Sequence, residues 1–143
     1  MGRCLMRLFL LVHAYLLLLT VTLRLRFLSV QPVFGDILSP ESRLDGTSPA
    51  NAMETIESAQ RSLHLAESLF PFRIRCLERS VVLSRLLRRQ RIPTKLQIGV
   101  KKSGQRLEAH AWVEYQGRTL SSSAAQCSEY QPLQATRKPD YSR

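Results

Sequence analysis

The sequence predicts an α+β domain in which N-terminal helices pack on a small antiparallel β-meander. Two observations carry that reading. Up to Arg89 the apolar residues recur at three- and four-residue spacing, the period of helices; after Pro93 the period shortens to two, the period of strands. Turn signals at Lys101–Gly104 and Gln116–Gly117 then divide the alternating part into hairpins, so the strands run antiparallel. A chain of 143 residues with 44% apolar residues suffices for one domain with its own core.

Taken in order, residues 1–30 form a strongly apolar helical segment. The run Leu8–Leu23 carries no formal charge and is bounded by Arg7 and Arg24. It falls short of the roughly 20 residues of a spanning helix. Three readings compete: a signal peptide without an Ala-x-Ala-like cleavage site, a membrane-associated or short spanning helix, and a helix docked on the domain or on a partner. His13, Arg24 and Arg26 favour a docked or interfacial helix. Residues 31–49, with Pro32, Gly35, Pro40, Gly46 and Pro49, read as a linker.

The domain core spans residues 50–123. A helix is expected from Ala50 to Leu69, with Met53, Ile56, Ala59, Leu63 and Ala66 inward, and Pro71 beyond its end. A second begins at Cys76, carries Val82, Leu83, Leu86 and Leu87 inward and Arg79, Arg85, Arg88 and Arg89 outward, and closes at Pro93. Strands follow at Lys95–Val100, Arg106–Tyr115 and around Arg118–Leu120. In the second, His110, Trp112 and Glu114 share one face, and Ala109, Ala111, Val113 and Tyr115 the other. Residues 124–143, rich in Ser, Gln and Pro, read as a basic, partly flexible tail.

The net charge of +10 suits an acidic peptide or an anionic membrane; with no stacking-aromatic pattern beside it, nucleic acid ranks low. The cluster from Arg85 to Arg91 reads as a solvated helix face before it reads as a docking patch. The cysteines, Cys4, Cys76 and Cys127, are odd in number and widely spaced, so they form no disulfide framework. No Cys-x-x-Cys exists, and His13, His64 and His110 form no ligand cluster. Neither a metal nor a cofactor is expected, and a reduced, cytoplasmic setting fits, with membrane association left open by residues 1–30.

Two residues carry chemistry. Cys76 opens a helix, where unpaired backbone N–H groups favour an anion, and Arg73, Arg75 and Arg79 add positive charge around it. His110, flanked by alanines on a strand, can take a thiol proton. A cysteine nucleophile with a histidine base performs acyl transfer or peptide-bond cleavage. The bland alternative is that Cys76 is an apolar filler.

The order Cys76-Leu-Glu-Arg-Ser80, Ile98-Gly99-Val100 and Ala109-His-Ala-Trp-Val-Glu114 resembles the transglutaminase-like, papain-related cysteine protease superfamily. With the run Leu86–Pro93 and the apolar, arginine-flanked N-terminus, it is similar more narrowly to the stand-alone leader peptidase of lasso-peptide biosynthesis, the B protein. The likeness covers most of residues 50–120. It implies a cysteine peptidase, Cys76 as nucleophile and His110 as base and acid. The implied partners are a precursor peptide as substrate, a separate leader-binding recognition protein and an ATP-dependent macrolactam cyclase. The family's third member, an aspartate about a dozen residues after the histidine, is replaced here by Ser121-Ser122-Ser123. Ser122 is the candidate orienting residue, with Ser121 and Glu129 as alternatives; Glu114, four residues along the same strand, lies too far from the ring. Two further readings stand beside this one: a transglutaminase-like acyltransferase, in which an amine replaces water, and a non-catalytic, basic, membrane-associated binding module.

Overall fold

The computed structural model describes residues 2–27 and 50–133. The proposed linker 31–49 lies outside them. Among the described residues four helices and four strands follow in the order α1 (Gly2–Phe27), α2 (Ala52–Ser68), α3 (Cys76–Arg89), β1 (Lys95–Ser103), β2 (Arg106–Tyr115), β3 (Arg118–Thr119), α4 (Ala124–Ser128) and β4 (Gln131–Pro132). The sheet is antiparallel in the order β3-β2-β1-β4, and the chain is an α+β domain as the change of period predicts.

α3 is the centre of the fold. It packs against α1 and α2 on one side and against β1 and β2 on the other. Its burial therefore extends well beyond one stripe: Val81, Val82, Leu83, Leu86 and Leu87 are all buried, with Ser80 and Ser84. α2 buries Ala52, Ile56, Ala59, Leu63 and Ala66. Met53, expected inward, points to solvent, because the stripe starts at Ala52 and keeps its four-three-four-three spacing from there. α1 joins the same core through Ala14, Leu18 and Val21.

β1 runs three residues past the expected end. Lys101, Lys102 and Ser103 pair with Glu108, Leu107 and Arg106, leaving the turn to Gly104, whose φ is 61°. The second turn matches the sequence signal: Gln116 (φ 49°) and Gly117 (φ 76°) both occupy the left-handed region that a tight hairpin turn demands.

The expected tail is in part a structural element. Ser123 caps α4 by accepting from the Gln126 backbone N–H at 3.1 Å, and β4 then pairs with β1 through Gly99↔Pro132 and Val100↔Gln131. The stretch is too short to show a hydrophobic period, so the sequence hides it.

Candidate active site

A cleft of about 210 Å³ opens between the start of α3, the middle of β2 and the segment after β3; its lining includes Cys76, His110, Ser121 and Ser122. The sequence-predicted nucleophile, base and orienting residue thus lie in one concavity.

Cys76 is the first residue of α3, part-exposed and not in a disulfide. Arg75 precedes it in extended conformation, φ −91° and ψ 160°. Glu78 fixes this entry: its buried carboxylate accepts the Arg75 backbone N–H at 2.8 Å, as a residue three positions into a helix does. The Arg26 Nε of α1 lies 3.9 Å from the same carboxylate. Arg79, one turn on, makes a two-pronged pair with Glu67 of α2, Nε to Oε1 at 2.6 Å and Nη2 to Oε2 at 2.5 Å. That hydrogen bond holds the Arg79 pKa above its ordinary value, against the opposing effect of burial.

Ser80 sets the helix against the strand. It stands four residues after Cys76, on the same helix face, and its Oγ donates to the Ala111 carbonyl at 2.9 Å. Ala111 is the neighbour of His110, so one buried bond ties the nucleophile's helix to the base's strand.

His110 Nε2 lies 2.8 Å from Ser122 Oγ. The segment bearing Ser122 is anchored to β2 at Val113 and to α2 at Gln60. The Leu120 N–H donates to the Val113 carbonyl at 2.8 Å, Ser121 Oγ accepts from the Val113 N–H at 3.0 Å, and Gln60 Nε2 of α2 donates to the Leu120 carbonyl. Ser121 is thereby committed to the backbone, which leaves Ser122 for the imidazole. Glu129 is not available either: it pairs with Lys101 Nζ at 2.9 Å. Glu114 accepts from Trp112 Nε1 at 2.7 Å and from Gln97 Nε2 at 3.5 Å, which commits its carboxylate away from the imidazole.

Two aromatic rings flank the imidazole. Trp112 stacks on it with centroids 6.1 Å apart and planes at 19°; Tyr130 approaches at 5.2 Å and 34°. Gly99, opposite His110 in the β1–β2 register, makes room for both. A Cβ there would lie 2.8 Å from the Trp112 ring and 2.8 Å from Tyr130 Cβ. Burial, and secondarily the Lys101 charge, hold the His110 pKa below 6.5. The shift favours the neutral imidazole, the form that can accept a proton.

Sequence reasoning passed over several neighbours. Gln126 and Ile74 line the cleft, and Tyr130 packs against the imidazole. Cys127, assigned to a mobile tail, is buried on α4 beside Ser122; burial raises its thiol pKa and the Ser122 hydrogen bond partly opposes this. His13 and His64 lie outside the cleft. Among the described residues no group of three His, Cys, Asp or Glu side chains is placed to hold a metal.

A helix-borne cysteine and a strand-borne histidine line one cleft, the pair that a cysteine nucleophile with a histidine base requires. The family model of the transglutaminase-like superfamily matches residues 17–135, most of the chain, and the protein belongs to that superfamily. The match begins inside α1 and takes in every later element described. No curated protein and no solved structure matches the chain. The superfamily generally includes cysteine proteases.

Proposed function

We propose that this protein is a cysteine peptidase that removes the leader from a ribosomally made lasso-peptide precursor and supplies the core peptide to a macrolactam-forming cyclase, beside a separate leader-binding protein. The observation that carries the catalytic part is the Cys76–His110–Ser122 cleft. With Nε2 engaged by Ser122, Nδ1 is the ring nitrogen left for the thiol. In the productive tautomer Nε2–H donates to Ser122 Oγ, and Nδ1 accepts the Cys76 proton as sulfur attacks the scissile carbonyl. The Cys76 backbone N–H, which has no helical acceptor, faces the developing oxyanion. The imidazolium then protonates the leaving amine, and water, deprotonated by His110, resolves the thioester. The narrower assignment to lasso-peptide maturation rests on the sequence resemblance.

One feature favours a weaker catalyst or a binding module: a serine stands where the family has an acid. A hydroxyl orients the ring but does not neutralise an imidazolium. The test is mass spectrometry of a candidate precursor incubated with the protein and the leader-binding partner, comparing wild type with Cys76→Ala and His110→Ala. Cleavage at one bond, abolished by both substitutions, supports the peptidase. A product mass showing transfer to an added amine identifies the acyltransferase. No turnover by wild type with leader bound leaves the binding module.

A further inference from the structure

α1 is apolar on both sides, but the fold uses only one. Its inward stripe, Ala14, Leu18 and Val21, is completely buried against the core. Opposite it lie Leu5, Phe9, Val12, Leu16, Leu23 and Phe27, all exposed, Phe27 at 79% and Leu5 at 72%. At 3.6 residues per turn these form one strip about 33 Å long, on the far side of the helix from the docked stripe. Thr20 is an exposed hydroxyl residue on the same side, and its Oγ1 is spent on the Leu17 carbonyl at 3.0 Å. An apolar strip of this extent on a small domain marks an interaction surface.

We propose that this strip lies on an anionic membrane surface, with α1 parallel to the bilayer plane. A spanning helix is contacted by lipid on all sides, whereas α1 is fastened lengthwise to α2 and α3. A cleavable signal does not suit a helix that fills the core. A core helix is mostly buried, whereas 22% of the apolar window in Leu8–Phe27 is buried. Composition and charge together favour lipid over another protein. The strip consists of Leu, Val and Phe, without the polar groups that fix register in a protein interface. Arg24 lies exposed in the helix's last turn, beside the end of the strip, whereas Arg26 is turned inward to the Arg73 carbonyl at 3.2 Å and the Glu78 carboxylate at 3.9 Å. The chain's charge of +10 adds attraction to anionic headgroups.

The test is vesicle flotation of the full chain, made by cell-free synthesis in the presence of phosphatidylcholine vesicles with or without phosphatidylglycerol. Wild type is expected to float with the anionic vesicles and several-fold less with the neutral ones. Val12→Glu/Leu16→Glu, both changes on the exposed strip, is expected to reduce flotation at least about tenfold while circular dichroism and melting stay near wild type. Val12→Gln/Leu16→Gln repeats the test without added charge if the first variant does not fold. Wild type remaining in the dense fraction with anionic vesicles overturns the proposal. So does equal flotation of a folded strip variant, or a vesicle-free dimer that the strip variants dissociate, which would assign the strip to a second copy.

Discussion

Ser80 and Ala111 join the two halves of the site: the buried Ser80 hydroxyl donates to the Ala111 carbonyl across 2.9 Å, between the helix of Cys76 and the strand of His110. α3 otherwise packs on the sheet largely through aliphatic side chains, so this bond adds a directional tie to the height of the helix along β2. Ser80→Ala leaves a buried carbonyl without its donor, a loss of about 1–3 kcal/mol. The expected outcome is a lowered Tm by thermal denaturation and a fall in turnover that persists well below the melting range. Turnover equal to wild type in the folded variant would show that packing alone sets the register.

Ser122 gives the next prediction. Removing its hydroxyl in Ser122→Ala takes one neutral hydrogen bond from the imidazole, about 0.5–1.5 kcal/mol, and should reduce kcat/KM by about 2- to 10-fold. Ser122→Asp should act in the opposite direction. A carboxylate 2.8 Å from Nε2 stabilises the imidazolium, so the acid limb of the kcat/KM profile should move to higher pH and kcat should rise. An unmoved acid limb in a folded Ser122→Asp protein would mean that this side chain does not sense the ring's charge.

The pH dependence has a definite sign. Burial, then Lys101, lowers the His110 pKa below 6.5; burial, then Arg89, does the same to His13. Between the folded-state value and 6.5 the unfolded chain binds more protons, so stability rises with pH through that window. The contribution is therefore fully present above pH 6.5 and is lost as the pH falls. Denaturant titrations from pH 7.5 downward should show a declining midpoint that His110→Gln flattens. Lys101→Gln, by removing the positive charge, should move the acid limb of activity upward, and added salt should act in the same direction on wild type.

Cys76 and His110 were legible because each sits in a strong local pattern, a helix opening after Pro71 and a strand with strict alternation. Ser122 was legible through its spacing from His110 in the family resemblance; nothing in Ser121-Ser122-Ser123 tells three serines apart. The structure separates them by what each bonds: Val113 for Ser121, His110 for Ser122, Gln126 for Ser123. Tyr130 and Cys127 were not legible. Both sit in a stretch of short elements where no period can develop, and their positions are set by pairing with β1, a contact between distant parts of the chain. Gly99 read as an ordinary strand residue, because close approach by Trp112 and Tyr130 leaves no trace in local sequence.

That approach makes Gly99 a sensitive position. Gly99→Ala places a methyl 2.8 Å from the Trp112 ring and from Tyr130 Cβ, and neither is the far end of a flexible chain. Displacing them should destabilise the fold by about 1–3 kcal/mol. It should also expose the imidazole, since the two rings that flank it are the two that must move. The expected reading is a lower Tm together with increased solvent access to His110, seen as faster exchange of its C2 proton. A lower Tm with unchanged exchange would confine the effect to packing.

The last prediction concerns the charge of the cleft. Its lining includes Arg75 and Arg79 but no acidic side chain. Arg79 is paired with Glu67, whereas Arg75 is exposed and has no carboxylate partner among the described residues. Arg79 remains electrostatically coupled to Cys76 despite its pairing, so removal of Arg75 isolates one share of the positive field. Negatively charged groups beside a scissile bond should be drawn in, and positively charged ones repelled. Alkylation of Cys76 reads this field without requiring peptidase activity. In proteins carrying Cys127→Ser and Cys4→Ser, the ratio of iodoacetate to iodoacetamide reactivity should exceed that of a free thiol in solution. Arg75→Gln should lower the ratio several-fold at low salt, leave the iodoacetamide rate nearly constant, and lose its effect as salt rises. A ratio independent of Arg75 would assign the field to Arg79 and the helix terminus instead.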